Sequence, residues 1–280
     1  MGYTKIKSFA KINLALNVIG KKNSLHKIES VVSFVDLYDE ILIKKINDKV
    51  HKIYFRGKFC NGIKSINTVT KLFQIIDKKK LLKNKFEVKI KKNIPSEAGL
   101  GGGSMNAASI LNFFVKRGLI KIKKKEIFEI SSLVGSDVIL GFYSKNLVLG
   151  SDNSIKTFSS KKKIYTLIVK PNFGCSTKKI FSKVKKFSRS ELFGKRNGLF
   201  NMKYLRKMKN DLEPIALKRY PKLNKLKNFL EKLSNIEFAR MTGSGSAIIG
   251  YFNSGKKCKD AEKKVKKQFR NYWCKISKTI

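Results

Sequence analysis

The sequence predicts a mixed fold of strands and helices in two domains, on three observations. Apolar residues alternate at Ala10, Ile12, Leu14, Leu16 and Val18, and again at Phe86, Val88 and Ile90, the period of a β-strand. Elsewhere they recur at helical spacing, as at Val69, Leu72, Phe73 and Ile76. A polar, unpatterned stretch, "GSDNSIKTFSSKKK", places a boundary near 150–162 and so divides the chain into 1–155 and 156–280. With 280 residues, each part has enough chain to bury a core.

Taken in order, the first strand, 10–18, is expected to be half-buried, with Lys11, Asn13, Ala15 and Asn17 together on its second face. "GKKNS" is a turn, and strand-like pieces follow near 28–35, 40–46 and 50–56. A short amphipathic helix occupies 67–78, and the strand 86–92 leads into a run of glycines. Ala107, Ile110, Leu111 and Phe114 then mark a helix that Gly118 stops, and a further helix over 125–134 ends at Gly135, before "GSD". The second half reads as a strand (165–170), a helix (177–186), a stretch to about 200 without clear pattern, and helices at 202–218 and 222–233. "RMTGSGSAIIGYF" (240–252) is a glycine turn followed by an apolar strand, and 258–270 is an amphipathic helix.

A hydrophobic content of 42% is that of a globular protein despite the formal net charge of +44. Such a charge suits polyanionic partners, but only eight of the 63 basic residues are Arg, the side chain best suited to phosphate and base recognition. The lysines are spread along the chain, so a solvated Lys-rich surface is the favoured reading and no nucleic-acid partner is expected. No apolar run is long enough to span a bilayer, the N-terminal stretch is broken by Lys11, Asn13 and Asn17, and Ile6 stands where a myristoylation signal wants Ser or Thr. The expectation is a soluble, cytoplasmic protein without a membrane partner. Cys60, Cys175, Cys258 and Cys274 show no metal-ligand spacing and read as reduced, inert thiols.

The stretch that carries chemistry is "IPSEAGLGGGSMNAAS" (94–109), where Gly99, Gly101, Gly102 and Gly103 fall between a strand and a helix N-terminus. A helix N-terminus offers backbone N–H donors and a partial positive charge, and glycines before it let the chain approach an anion closely. A Walker loop needs Lys and Ser/Thr after its last glycine, whereas Ser104 and Met105 follow here, and GxGxxG fails at Ser104. A tight turn explains fewer glycines than are present, so phosphate binding is the favoured reading. Phosphoryl transfer also wants positive charge and a carboxylate, for which Lys11 and Asp137 are available. Alone, Asp137 reads equally well as a cap or turn residue and Lys11 as a solvated lysine.

"PSEAGLGGGSMNAAS" resembles the PxxxGLGGGSSNAA signature of the GHMP kinases, "AKINLALNVIG" their N-terminal motif, and "RMTGSGSAIIGYF" their third, glycine-containing motif. Within that superfamily, "AKINLALNVIGKKNSLHKIESVVSFVDLYDEI" is similar to the opening of the 4-diphosphocytidyl-2-C-methyl-D-erythritol kinases, and "GSDV" to their GADVP. The resemblance implies an α+β, two-domain GHMP kinase fold, ribosomal-protein-like in its N-terminal domain and ferredoxin-like in its C-terminal domain. It implies phosphorylation of the 2-hydroxyl of a cytidine diphosphate-linked methylerythritol by ATP, with Mg²⁺ on the nucleotide and no metal ligands of its own.

By the same resemblance Lys11 and Asp137 are the catalytic pair, Asp137 taking the hydroxyl proton while Lys11 holds it ionised and steadies developing charge. Pro95, Ser96, Glu97, Ala98, Gly99, Leu100, Gly101, Gly102, Gly103, Ser104 and Met105 match the ATP loop. Asn13 and His26 match the substrate side, with His26 reading the cytosine edge and Phe181 stacking on it, and Gly243 and Gly245 form a second loop beside the phosphates. The chain departs from the pattern at Leu25, where the family has Tyr, at Met105, where it has a second Ser, and after Asp137, where Val138-Ile139 lack the Pro. These departures imply weaker or altered substrate binding with intact chemistry. The rival readings are another small-molecule GHMP kinase, acting on homoserine, mevalonate derivatives or sugars, and a basic nucleic-acid-binding module.

Overall fold

The computed structural model describes residues 2–23, 25–143, 146–152, 154–158, 163–193 and 200–280. Ser24 of the "GKKNS" turn, and residues 153 and 159–162 of the boundary stretch, lie outside them. Contacts group the chain into two compact units that are each discontinuous in sequence: Met1–Ala10, Leu37–Ser96 and Gly101–Ser144 form the first, and Lys11–Asp36, Glu97–Leu100 and Lys145–Ile280 the second.

Two long strands open the chain, β1 (Thr4–Lys22) and β2 (Leu25–Ile46), and they pair with each other. From Ala10 to Val18 every residue of β1 is buried, so the half-buried strand expected from its alternation is buried on both faces. Its polar face is covered because Lys11 and Asn13 hydrogen-bond within the second unit. The two pieces expected at 28–35 and 40–46 are one strand. The intervening acids do not break it because each is satisfied. Asp36 accepts from Ser277 Oγ (2.5 Å) and Lys278 N (3.0 Å), and Asp39 accepts from Asn93 N (2.7 Å) and Ile94 N (2.8 Å).

In the first unit β3 (Lys52–Arg56) runs parallel to β4 (Lys85–Lys91), and β4 is antiparallel to residues 40–46 of β2. Three helices cover the apolar side of these strands: α1 (Thr68–Lys78), α2 (Gly102–Lys116) and α3 (Lys124–Val134). Asn67 caps α1 by accepting from Val69 N and Thr70 N, while the Thr70 hydroxyl oxygen accepts from Asn67 N, a reciprocal capping box. Phe114 of α2 meets Phe86 of β4 at 4.8 Å and Phe73 of α1 edge-on at 6.0 Å. A 3-10 turn over Val138–Phe142 follows α3.

In the second unit β5 (Asn146–Leu149) pairs with residues 30–32 of β2 and with β6 (Ile155–Phe158). The remaining strands are β7 (Tyr165–Lys170), β8 (Phe238–Met241), β9 (Ile248–Phe252) and β10 (Trp273–Lys278). They form an antiparallel sheet in the order β10-β7-β9-β8. Between β7 and β8 lie α4 (Thr177–Phe181), α5 (Met202–Lys207), α6 (Glu213–Arg219) and α7 (Pro221–Glu231), and α8 (Gly255–Gln268) joins β9 to β10. That succession and order are those of the ferredoxin-like βαββαβ motif. The core beneath the helices takes Leu16 and Val18 from β1 and Leu223, Leu226 and Leu230 from α7.

The single helix expected over 202–218 is two, α5 and α6. The break at 208–211 occurs because this segment pairs with β1: Leu16 N donates to Lys209 O, and Asp211 N to Leu16 O, both at 2.9 Å. The helix expected over 177–186 ends at Phe181.

Candidate active site

Gly101 stands at the N-cap of α2 with a φ of +68°, a left-handed conformation, and no side chain caps the helix. Met105 N already donates to Gly101 O at 2.8 Å, which leaves the N–H groups of Gly102, Gly103 and Ser104 as the helix's first-turn donors, with no side-chain cap accepting from them. An anion is the partner such a terminus favours. Met105 itself is buried, its Sδ 3.3 Å from where a Cβ on Gly141 would lie. Gly103 approaches α1 so closely that a Cβ there would lie 2.9 Å from Thr68 Oγ1. Pro95 is buried and Ser96 exposed at the start of the loop.

The segment bearing Asp137 packs on the same turn. A Cβ on Gly135 would lie 3.8 Å from Ser104 Oγ and 3.9 Å from Thr68 Cγ2. Asp137 stands at the N-cap position of the 3-10 turn without making a side-chain cap bond, so capping does not account for it. The first unit therefore brings together the glycine helix start, Ser104 and the Gly135–Asp137 loop.

In the second unit Lys11 is 4% exposed, which removes the solvated-lysine reading. Its Nζ donates to Asn13 Oδ1 at 2.7 Å, and Asn13 Nδ2 donates to Ser30 Oγ at 2.7 Å. Asn13 N donates to Thr242 Oγ1 (3.0 Å), whose hydroxyl lies 3.1 Å from Gly99 O. Residues Glu97–Leu100 are bound between the β8–β9 turn and β1: Ser246 N donates to Glu97 O (3.0 Å), Ala247 N to Ala98 O (3.2 Å), and Lys11 N of β1 to Leu100 O (3.0 Å). Gly99 has φ +72°, and a Cβ on it would fall 2.0 Å from Thr242 O, so no other residue fits. Gly243 lies against it, a Cβ there falling 3.3 Å from Gly99 Cα. Gly245 is buried beside Met241 and Cys175 in the same turn.

His26 and Phe181 come together with ring centroids 5.1 Å apart, tilted by 42°. Phe181 also packs on the core of the second unit, so it serves both as core and as a wall for the imidazole. Burial first, then the nearby Lys21 ammonium, hold the His26 pKa below its usual value, so the ring is neutral at pH 7. Leu25 beside it is 76% exposed. Burial pushes the thiols of Cys175 and Cys258 up to about 11 and about 12, which makes both poor nucleophiles.

Sequence reasoning missed Thr68, Thr242, Ser30 and Asp39. Single hydroxyl or carboxyl residues within strands and helix starts carry no spacing signal, and only folding shows what they face. Among the described residues no group of three or more His, Cys, Asp or Glu could hold a metal ion, and no helix is long and apolar enough to cross a membrane.

Comparison with known proteins agrees with this geometry. The family model described as GHMP kinases N terminal domain matches residues 67–145, and GHMP kinases C terminal matches 187–273. A 4-diphosphocytidyl-2-C-methyl-D-erythritol kinase of Pelagibacter ubique is 54% identical over 281 residues, covering 100% of both chains. One of Clostridium tetani is 32% identical, covering 99% of this chain and 100% of that one. Among solved structures, a 4-(cytidine 5'-diphospho)-2C-methyl-D-erythritol kinase superposes with a TM-score of 0.76 at 18% identity, covering 98% of this chain and 99% of that one. A homoserine kinase from Cytophaga hutchinsonii superposes with a TM-score of 0.73 at 16% identity, covering 99% of this chain and 94% of that one. At these identities the superpositions speak for the α+β fold, while the full-length sequence relatives speak for the branch. The chain belongs to the GHMP kinases, and within them to the family of 4-diphosphocytidyl-2-C-methyl-D-erythritol kinases.

Proposed function

We propose that this enzyme transfers the γ-phosphoryl group of ATP to the 2-hydroxyl of 4-diphosphocytidyl-2-C-methyl-D-erythritol, in the non-mevalonate route to isoprenoid precursors. The observation that supports the reading is the packing of Gly135, two residues before Asp137, on Ser104 at the uncapped glycine start of α2. The full-length identity to kinases of that name supports the choice of substrate over homoserine or mevalonate-type alcohols. We keep 1–155 and 156–280 as the sequence domains, since the two family models match on either side of that division.

The N–H groups of Gly102, Gly103 and Ser104 hold phosphate oxygens at the start of α2, where the helix dipole favours negative charge. Glu97–Leu100 are fixed on the β8–β9 turn, which Gly243 and Gly245 form. Asp137 accepts the proton of the attacking hydroxyl. Lys11, oriented by Asn13, steadies the negative charge that develops during transfer. His26, neutral and backed by Phe181, hydrogen-bonds the cytosine edge.

Mg²⁺ bound with the nucleotide would neutralise phosphate charge. Ser104, in the first turn of α2, would offer it a hydroxyl oxygen, and an ion held mainly by phosphates and water needs no protein cage. The site of action is the cytoplasm, in keeping with four free cysteines.

The test is ADP release with ATP, Mg²⁺ and the cytidylyl substrate. Asp137→Asn is expected to lower kcat by at least about 100-fold while ADP binding stays near that of the wild type, the loss typical of a missing general base. Turnover of homoserine or a sugar alcohol in place of the cytidylyl substrate would overturn the substrate assignment.

A further inference from the structure

Asp39 lies in the first unit, on β2, and is fully buried. Its Oδ1 accepts from Asn93 N at 2.7 Å and Ile94 N at 2.8 Å, the two residues that carry the chain from β4 into the glycine stretch. Its Oδ2 accepts from Lys92 Nζ and, at 3.0 Å, from Asn106 Nδ2 in the second turn of α2. Lys92 is itself buried, and its Nζ lies 3.4 Å from where a Cβ on Gly102 would stand. One carboxylate thus ties the end of β4, the start of the loop and the beginning of α2 together.

Stability alone is a weak reason for this arrangement. Burying two charges costs several kcal/mol per ion before their attraction offsets it, and apolar pairs of similar volume commonly do as well. The neighbouring acid Glu40 shows the ordinary alternative, an ion pair with the exposed Lys5. What the buried carboxylate adds is direction, since it accepts from four donors on three consecutive residues and a helix. The helix so fixed is the one whose first turn has no side-chain cap and begins on a left-handed glycine.

We propose that Asp39 is a positioning residue for the phosphate loop: it holds the end of β4 against α2 so that the first-turn N–H groups of α2 keep the spacing that nucleotide phosphates require. The proposal rests on the kinase reading above and concerns its nucleotide side alone.

The experiment titrates the full chain with Mg²⁺ and ADP calorimetrically and follows thermal unfolding in parallel. Asp39→Asn removes one charge-assisted acceptor and is expected to weaken ADP binding by about tenfold. KM for ATP should rise with it while KM for the phosphoryl acceptor stays unchanged. Asp39→Asn also strands the Lys92 charge, so D39N/K92M, which buries no unpaired ion, is the second variant. Its Tm should recover toward that of the wild type without recovery of ADP affinity.

Affinity that returns together with Tm, or a D39N protein that binds ADP within twofold of the wild type, would overturn the proposal. If neither variant folds, Asn106→Leu leaves the ion pair intact and decides: weaker ADP binding supports the positioning role, and unchanged binding refutes it. A wild-type protein that binds ADP but does not turn over the cytidylyl substrate would overturn the substrate assignment and leave this comparison standing.

Discussion

His51 shows how much a single residue's surroundings decide. Its Nδ1 accepts from Phe86 N at 3.0 Å, its Nε2 lies 3.3 Å from Asp77 Oδ1, and its ring packs 4.5 Å from that of Phe73. Burial, the largest cause, holds its pKa below the usual 6.5 even though Asp77 pulls the other way. Below pH 6.5 the unfolded chain therefore binds more protons than the folded one, and stability falls with pH from that point until the lower folded pKa is passed. Urea midpoints between pH 7 and pH 5 should fall more steeply for the wild type than for His51→Asn, whose Oδ1 can still accept from Phe86 N. Equal slopes would remove His51 from the acid response. Residues with a motif around them, such as Gly99 and His26, stand out in the sequence as candidates because their neighbours mark them. Asp39 does not, because one acid within a strand looks the same whether it faces water or a buried ammonium.

At the scale of elements, Arg240 does more than its place in β8 suggests. Its guanidinium is 5% exposed and donates to Leu14 O (2.5 Å) in β1, to Leu205 O (3.0 Å) in α5, and to Met208 O, where the helix ends. It thereby joins the end of α5 to two strands of the second unit. Arg240→Met would remove the guanidinium from all three carbonyls, of which Leu205 O keeps a bond from Met208 N, and the expected cost is about 3 kcal/mol, read as a lower urea midpoint with an unchanged m-value. A loss below about 1 kcal/mol would mean that water replaces the guanidinium.

Strands and helices with clean periodicity, β1, β4 and α1, were readable in advance, as was the short apolar run of β7. Those fixed by distant partners were not: β6 is half polar, β10 hydrogen-bonds β7 more than one hundred residues away, and the break between α5 and α6 is set by β1. Local sequence carries no record of such pairings.

For the whole molecule the dominant quantity is the net charge of +44. Like charges repel in the compact state, and the same field draws in anionic nucleotides. Salt should act on the two effects in opposite directions. Between about 10 mM and 150 mM ionic strength the Debye length shrinks from about 30 Å to about 8 Å, so Tm is expected to rise while kcat/KM falls several-fold. A kcat/KM that stays level across that range would show that the charge plays no part in capture.

The chain also passes from one compact unit to the other and back at residues 10–11, 36–37, 96–97, 100–101 and 144–145. Two of those passages fall inside β1 and β2, and two inside the glycine stretch. No single scission can therefore separate the units. A ribosome that has made residues 1–144 has completed the first unit's share of the chain, yet it still carries residues 11–36 and 97–100 awaiting contacts supplied by the last 136 residues. Residues 97–100 thus gain their partners on the β8–β9 turn only late in synthesis, and on the kinase reading chains that lack the C-terminal segment are expected to release no ADP from ATP.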